Sequence, residues 1–274
     1  MPLTPTGSLS LFYQETGAGE PVLWLPGLGT DHTAWVLQIA GLKNHFRCIA
    51  IDNRDCGRSD RATGRYGIRD MAADTIGLMD ALQLPWAHVV GWSMGGAMAQ
   101  EMALGWPERI RSLCLVATYD EGDPRADDRF ALAAEIRRSM GFEAYLRFAQ
   151  LSIYTYRAYQ RPGFIEAARR RAMEYPYQQT VDEYERQAWA TTHHHTRDRL
   201  GRIACPTLVL VGDEDILTPL ERFSRPMAGA IPKAELSVIP AVGHALQLEQ
   251  PDATSREIER FLTAVTGGDG AASR

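Results

Sequence analysis

Gly91-Trp92-Ser93-Met94-Gly95 stands between two stretches of different character. Before it, Ala87-His88-Val89-Val90 is short, apolar and β-prone; after it, Gly96-Ala97-Met98-Ala99-Gln100-Glu101-Met102-Ala103 reads as a helix. A G-x-S-x-G on a strand-to-helix turn is a nucleophile elbow. So tight a turn holds its serine in a strained backbone conformation with the side chain above the sheet edge. Bulky residues at 91 and 95 would collide with neighbouring backbone, so glycine is needed there for space. Ser93 is the candidate nucleophile.

Strand and helix signals alternate on either side of the elbow. Val22-Leu23-Trp24-Leu25 and Phe46-Arg47-Cys48-Ile49-Ala50-Ile51 are apolar runs suited to strands covered on both faces. Apolar residues from Ile68 to Leu82 fall at helical spacing, with Pro85 beyond the end, and Ile110 to Thr118 is a further strand. The alternating Leu9-to-Gln14 segment, the turn Thr16-Gly17-Ala18-Gly19-Glu20 and the next strand suggest an antiparallel entry. Near residue 120 the rhythm breaks: about eighty residues carry helical patterning without strand runs. It resumes at Thr207-Leu208-Val209-Leu210-Val211 and Glu235-Leu236-Ser237-Val238-Ile239, and a last helix is expected over Asp252 to Val265. The reading is an α/β core (1–119 and 201–266) with a helical cap insertion (120–200) and a flexible tail (267–274). Most of the many aromatics of the insertion are expected to pack its helices together, with a minority facing the gap above the sheet.

Serine needs a positioned base, best supplied by a histidine that a carboxylate orients. On an elbow fold the chain order is Ser, then Asp or Glu, then His. Gly212-Asp213-Glu214-Asp215-Ile216-Leu217-Thr218-Pro219 follows strand 207–211, and Ala241-Val242-Gly243-His244 follows strand 235–239. Parallel strands deliver both loops to the edge that carries Ser93. His244 is taken as general base and Asp215 as its partner, with Asp213 shaping the turn and Glu214 solvated. The oxyanion of a tetrahedral intermediate needs donors. The Met94 N–H, at the start of the helix, is one candidate. The Leu28 N–H, in the glycine-containing loop Pro26-Gly27-Leu28-Gly29-Thr30-Asp31-His32, is the other. That loop lacks the third glycine and the distant acid of a dinucleotide site.

Composition bounds the partners. The 274 residues suffice for one large domain, and 45% apolar with 23% charged is ordinary for a globular protein. A net charge of −5, with basic residues mixed among acids, argues against nucleic acid. Arg169-Arg170-Arg171 reads as a solvated helix face. No apolar stretch approaches a membrane span and Met1-Pro2-Leu3-Thr4-Pro5 is no signal peptide, so a cytoplasmic protein off the membrane is expected. Cys48, Cys114 and Cys205 belong to strands or their mouths, Cys56 to a loop that could be more exposed, and no metal-type spacing or disulfide framework emerges. His193-His194-His195 does not share one helix face and is read as structural or surface. No metal and no cofactor are expected.

With these residues placed, the chain resembles the α/β-hydrolase superfamily over nearly its whole length. The match runs through Pro26-Gly27-Leu28-Gly29, Asp52-Asn53-Arg54-Asp55-Cys56-Gly57-Arg58-Ser59, Gly91 to Gly96, Gly212 to Pro219 and Gly243-His244. It is similar to bacterial carboxylesterases and to 3-oxoadipate enol-lactonase-like hydrolases with a helical cap, and the resemblance supports Asp215 as the acid. Many relatives have His-Gly where this chain has Pro26-Gly27. Serine at 93 separates it from the haloalkane dehalogenase branch, which uses aspartate there. The resemblance implies a serine hydrolase acting on a small-molecule carboxylic ester or lactone through an acyl-enzyme; a monomer or homodimer is expected. The same triad also serves carbon–carbon bond hydrolases, thioesterases and perhydrolase or haloperoxidase-like activities, and a ligand receptor on this scaffold is a different class again.

Overall fold

A computed structural model of the chain describes residues 3–7 and 9–272, with backbone alone for 268–272. Seven strands form one sheet: β1 (Tyr13–Thr16), β2 (Glu20–Leu25), β3 (Phe46–Ile51), β4 (Ala87–Trp92), β5 (Ile110–Val116), β6 (Thr207–Gly212) and β7 (Ala234–Ile239). Their order is β1-β3-β2-β4-β5-β6-β7, with β1 antiparallel and every other pairing parallel. A two-residue ladder, Thr4–Pro5 with Ser10–Leu11, precedes it. The α/β reading therefore holds.

The antiparallel entry exists, but its partner differs from the expected one. β1 pairs with β3, Tyr13 opposite Ile51 and Thr16 opposite Cys48, not with the strand that follows it. β2 is already flanked by β3 and β4, which leaves no free edge for a hairpin.

The sheet separates two apolar layers. Alternate residues of β2 point to opposite sides: Leu23 and Leu25 join one layer with Ile49, Val89 and Leu113, whereas Val22 and Trp24 join the other with Cys48, Val90 and Cys114. Helices α1 (Val36–Leu42), α2 (Ile68–Ala81) and α3 (Met94–Gly105) cover the first half of the sheet. α3 is buried along nearly its whole length, as its Gly-, Ala- and Met-rich sequence requires.

Between β5 and β6 the chain forms five α-helices, α4 (Pro124–Met140), α5 (Phe142–Ile153), α6 (Tyr156–Gln160), α7 (Phe164–Glu174) and α8 (Val181–Thr192), then a 3-10 helix (Arg197–Arg202), and no strand. Entry and exit cross at an isolated bridge between Glu121 and His195. The crossing is tied by Thr196 N to Asp120 O at 2.8 Å and by a two-point Arg197–Asp120 ion pair at 2.9 Å. The far side of the insertion is anchored as well: Arg186 on α8 grips buried Asp55 at 2.8 and 2.9 Å.

After β6 come α9 (Arg225–Ala230), α10 (Leu246–Glu249) and α11 (Pro251–Ala272). The last helix runs past its expected end, so the backbone of 267–272 is helical where a tail was expected. Residues 273–274 of that tail lie outside the described residues. Among the described residues no helix is long and apolar enough to cross a membrane.

Candidate active site

The elbow has the geometry its sequence requires. Ser93 sits at φ 53°, ψ −116°, between β4 and α3. This is a region that L-residues avoid, and it persists because both flanking elements are buried. A Cβ at Gly91 would overlap the Gly95 carbonyl, and one at Gly95 would overlap the Leu25 carbonyl. Gly96 is equally enclosed by Thr118, whose hydroxyl donates to the Ser93 carbonyl at 2.6 Å.

The two later loops arrive at this turn. His244 Nε2 lies 3.0 Å from Ser93 Oγ, and His244 Nδ1 lies 2.9 Å from Asp215 Oδ2. Asp215 and His244 are both buried, each 4% exposed. Burial alone would push the Asp215 carboxyl up; His244 beside it and hydrogen bonds from Thr218 outweigh that and hold it below the usual carboxylate value. Thr218 Oγ1 donates to Oδ2 at 2.6 Å, while the Leu217 and Thr218 amides donate to Oδ1 at 2.8 and 3.0 Å.

The neighbouring acids do other things. Asp213 accepts from the Ala241 amide at 2.6 Å and so joins the acid loop to the base loop. Exposed Glu214 lies 3.5 Å from Arg157.

Further contacts set the histidine loop and were not evident from sequence. Trp92 Nε1 donates to the His244 carbonyl at 2.9 Å, and the His244 amide donates to Ile153 O at 3.1 Å, tying His244 to α5. Glu249 accepts from Thr155 Oγ1 at 2.5 Å and from the Gly243 amide at 3.2 Å.

Beyond β2, the loop holding Leu28 is fixed from behind. Asn53 Nδ2 donates to Pro26 O at 3.3 Å, Thr30 Oγ1 to Gly27 O at 2.9 Å, and the Gly29 amide to Gln187 Oε1 on α8 at 3.0 Å. These contacts form with Pro26 in place of histidine. Among the described residues, neither the Leu28 nor the Met94 amide donates to a protein group.

A second Ser–His–carboxylate string shows what such a string lacks without access. Ser112 Oγ lies 2.7 Å from His88 Nδ1, and Glu20 Oε2 lies 2.9 Å from His88 Nε2. Ser112 and His88 are fully buried, so this string ties β2, β4 and β5 together inside the sheet. Ser93, in contrast, opens into a cavity of about 430 Å³, within the usual range of roughly 300–1,000 Å³ for small-molecule sites.

Core loops and insertion helices line that cavity jointly. Phe142, Tyr145, Phe148, Tyr154, Tyr175, Tyr177 and Tyr184 all reach it, so the aromatics of the insertion face the gap in the majority. They serve both purposes: Tyr145 and Tyr184 pack edge to face at 5.3 Å and still present surface to the cavity. Cys56, expected to be more exposed, is instead buried under the Gln187 and Gln179 side chains, and burial pushes its thiol up.

One group of three potential metal ligands comes together among the described residues: Asp31, His32 and Asp52. Hydrogen bonds already account for it. Asp52 Oδ1 accepts from the His32 amide at 2.8 Å and faces His32 Nδ1 at 2.6 Å, and Asp52 Oδ2 accepts from the Arg58 amide at 2.8 Å. The three consecutive histidines diverge. His193 stacks on Trp189 at 4.2 Å, His195 faces Asp198 at 3.1 Å, and His194 is buried, which holds it near neutral imidazole with a value pulled down to about 3.

The family model described as alpha/beta hydrolase fold matches residues 20–251. The chain therefore belongs to the α/β-hydrolase family and is a hydrolase. Among relatives, it is 32% identical to "Putative carbamate hydrolase RutD" of Azorhizobium caulinodans, over 92% of this chain and 94% of that one. It is also 32% identical to the 2-hydroxy-6-oxo-2,4-heptadienoate hydrolase of Pseudomonas putida, over 94% of each. Of solved structures, a thermophilic esterase from Thermogutta terrifontis superposes with TM-score 0.86 at 30% identity, covering 96% of this chain and 97% of that one. The enol-lactonase of Burkholderia xenovorans does so with TM-score 0.86 at 26%, covering 96% and 100%. The esterase and enol-lactonase likeness expected from sequence is thus present.

Proposed function

We propose that this hydrolase cleaves a carboxylic ester or lactone through an acyl-enzyme on Ser93. The observation that carries the reading is the unbroken string Ser93 Oγ, His244, Asp215, with spacings of 3.0 and 2.9 Å, at the floor of an aromatic-walled cavity. With Asp215 accepting from Nδ1–H, the free lone pair of His244 is on Nε2, facing the serine hydroxyl. His244 takes the Ser93 proton as Oγ attacks the carbonyl carbon. The Leu28 and Met94 amides stabilise the oxyanion. His244 then protonates the leaving oxygen, which departs or, in a lactone, stays tethered to the acyl group. Water, deprotonated by His244, releases the acid and regenerates Ser93. Each step uses side chains, backbone and water of this site, and the helices of 120–200 act as a cap that limits bulk water.

A second reading keeps the triad and changes the bond. The Pseudomonas putida relative is named for a substrate that contains no ester, and the Azorhizobium relative for a carbamate. Initial rates on p-nitrophenyl esters of increasing acyl length, with Ser93→Ala beside the parent, decide between them. Fast hydrolysis that vanishes in Ser93→Ala supports the ester reading. A folded parent that reacts with a serine-directed phosphonate yet turns over no ester or lactone favours carbon–carbon bond or carbamate cleavage.

A further inference from the structure

The loop that offers the Leu28 amide is a turn whose conformation its own residues leave open. Gly27-Leu28-Gly29-Thr30 is closed by the Thr30 amide, which donates to Gly27 O at 3.2 Å, and Gly29 stands third in it at φ 70°. A positive φ at that position marks a type II turn. The commoner type I turn keeps the same closing bond and differs by a flip of the central peptide, here Leu28 C=O with Gly29 N–H. Glycine tolerates φ of either sign, so the turn alone does not choose between the two. Thr30 Oγ1, which donates to Gly27 O at 2.9 Å, holds the preceding peptide and would survive the flip.

The choice is made from the insertion. Gln187, fully buried on α8, accepts the Gly29 amide on Oε1 at 3.0 Å. Its other end is fixed as well: Nε2 donates to the Arg54 carbonyl at 2.9 Å, and the Cys56 thiol donates to Oε1 at 3.4 Å. The amide cannot be turned over, because Gly29 N–H only donates and the Arg54 carbonyl only accepts. One side chain therefore joins α8 to two core loops that lie more than a hundred positions away in sequence. Arg186, its neighbour on α8, clamps the same helix to Asp55 at 2.8 and 2.9 Å, and its hydrogen bonds there do not involve the 26–32 loop.

We infer that Gln187 is a positioning residue for the oxyanion hole. By gripping Gly29 N–H it fixes the peptide plane on one side of Leu28, and with it the direction in which the Leu28 amide is offered. This rests on the ester or lactone reading above, in which that amide receives the oxyanion. Donors stabilise a transition state in proportion to how well they are placed beforehand, so a loosened turn weakens the oxyanion more than it weakens the bound substrate. The insertion thus does more than cover the cavity: α8 sets part of the machinery beneath it.

Two neighbouring substitutions separate positioning from general anchoring of the cap. Gln187→Met keeps the length of the side chain and removes its hydrogen bonds, whereas Arg186→Met releases the adjacent clamp. Rates are read on p-nitrophenyl butyrate, and inhibition with a trifluoromethyl alkyl ketone. Ser93 Oγ adds to the ketone carbon as its proton passes to His244, and the carbonyl electron pair moves to oxygen, where the ester's oxyanion would form. Gln187→Met should lower kcat about tenfold with KM within about twofold, and weaken the ketone by the same factor. Arg186→Met should melt earlier yet keep kcat and ketone affinity near the parent's. Gln187→Glu, which keeps an oxygen for the Gly29 amide, should recover most of the loss. Equal losses in the two Met variants, or none in Gln187→Met, overturn the inference. Hydrogen exchange of the peptide spanning 26–35 is measured apart from turnover and should quicken in Gln187→Met alone; unchanged exchange also overturns it. A parent that neither cleaves the ester nor binds the ketone through Ser93 counts against the ester or lactone reading, and the exchange result still decides whether Gln187 sets the loop.

Discussion

Thr218 Oγ1 donates to Asp215 Oδ2 at 2.6 Å, the same oxygen that faces His244 Nδ1 at 2.9 Å. Two donors thus share one carboxylate oxygen, while the other is held by two amides. Asp215 is fixed before it touches the histidine, which is how a buried carboxylate keeps an imidazole in one tautomer and orientation.

Removing that hydroxyl should loosen the acid without removing it. Thr218→Val is expected to lower kcat about tenfold, the value of one hydrogen bond to a charged group, with KM little changed. Thr218→Ser should restore most of the rate. The kcat-against-pH profile, with its acid limb displaced in Thr218→Val alone, separates positioning from general loss of fold.

The three acids of the 213–215 turn make a sharper comparison. Asp215→Asn should cost activity on the order of 10³–10⁴-fold, since an amide supports the wrong tautomer of His244. Asp213→Asn, at a side chain whose one hydrogen bond among the described residues comes from the Ala241 amide, should cost stability of about 1 kcal/mol and little rate. Steady-state rates and urea melts on both variants check this; a larger rate loss at Asp213 would reverse the assignment.

Asp215 also ties stability to pH. Its folded value lies below the ordinary 3.8, so the folded state favours its ionised form. That contribution is complete at pH values above the unfolded carboxyl's range and is lost as pH falls through the folded value. Between pH 6 and pH 3 the parent should therefore lose more stability than Asp215→Asn. Urea midpoints across that range measure the difference, and parallel curves would mean that the native state does not favour the charged form.

Glycine positions separate space from flexibility. Gly91→Ala and Gly95→Ala place a Cβ against backbone carbonyls that cannot move without opening the elbow. Losses above about 3 kcal/mol, or no soluble protein, are expected. Gly41, inside α1, has nothing within 4 Å of its would-be Cβ. Gly41→Ala should instead stabilise by about 0.5–1 kcal/mol. Thermal melts of the three variants test both directions.

What was legible in the sequence was whatever one strand and its following loop contain. The elbow at Ser93, the acid loop at Asp215 and the base loop at His244 each announce themselves locally, and parallel topology brings them together. Partnerships between distant segments left no such mark. β1 chose β3 because β2 was enclosed, a fact of sheet order. Glu249 and Thr155 meet only once α10 and the insertion are folded. Cys56 looked like a loop cysteine because the residues that bury it, Gln179 and Gln187, lie more than a hundred positions away.

The account turns on a covalent bond at Ser93, and one measurement addresses it directly. Mixing the enzyme with excess p-nitrophenyl ester, quenching within the first turnovers and analysing the peptide that spans 87–105 by mass spectrometry would reveal an acyl group. The expected result is a burst of about one p-nitrophenolate per active site together with acylation of Ser93, both absent in Ser93→Ala. Steady hydrolysis that persists in Ser93→Ala, or an acyl group found on another residue while Ser93 stays free, would contradict it.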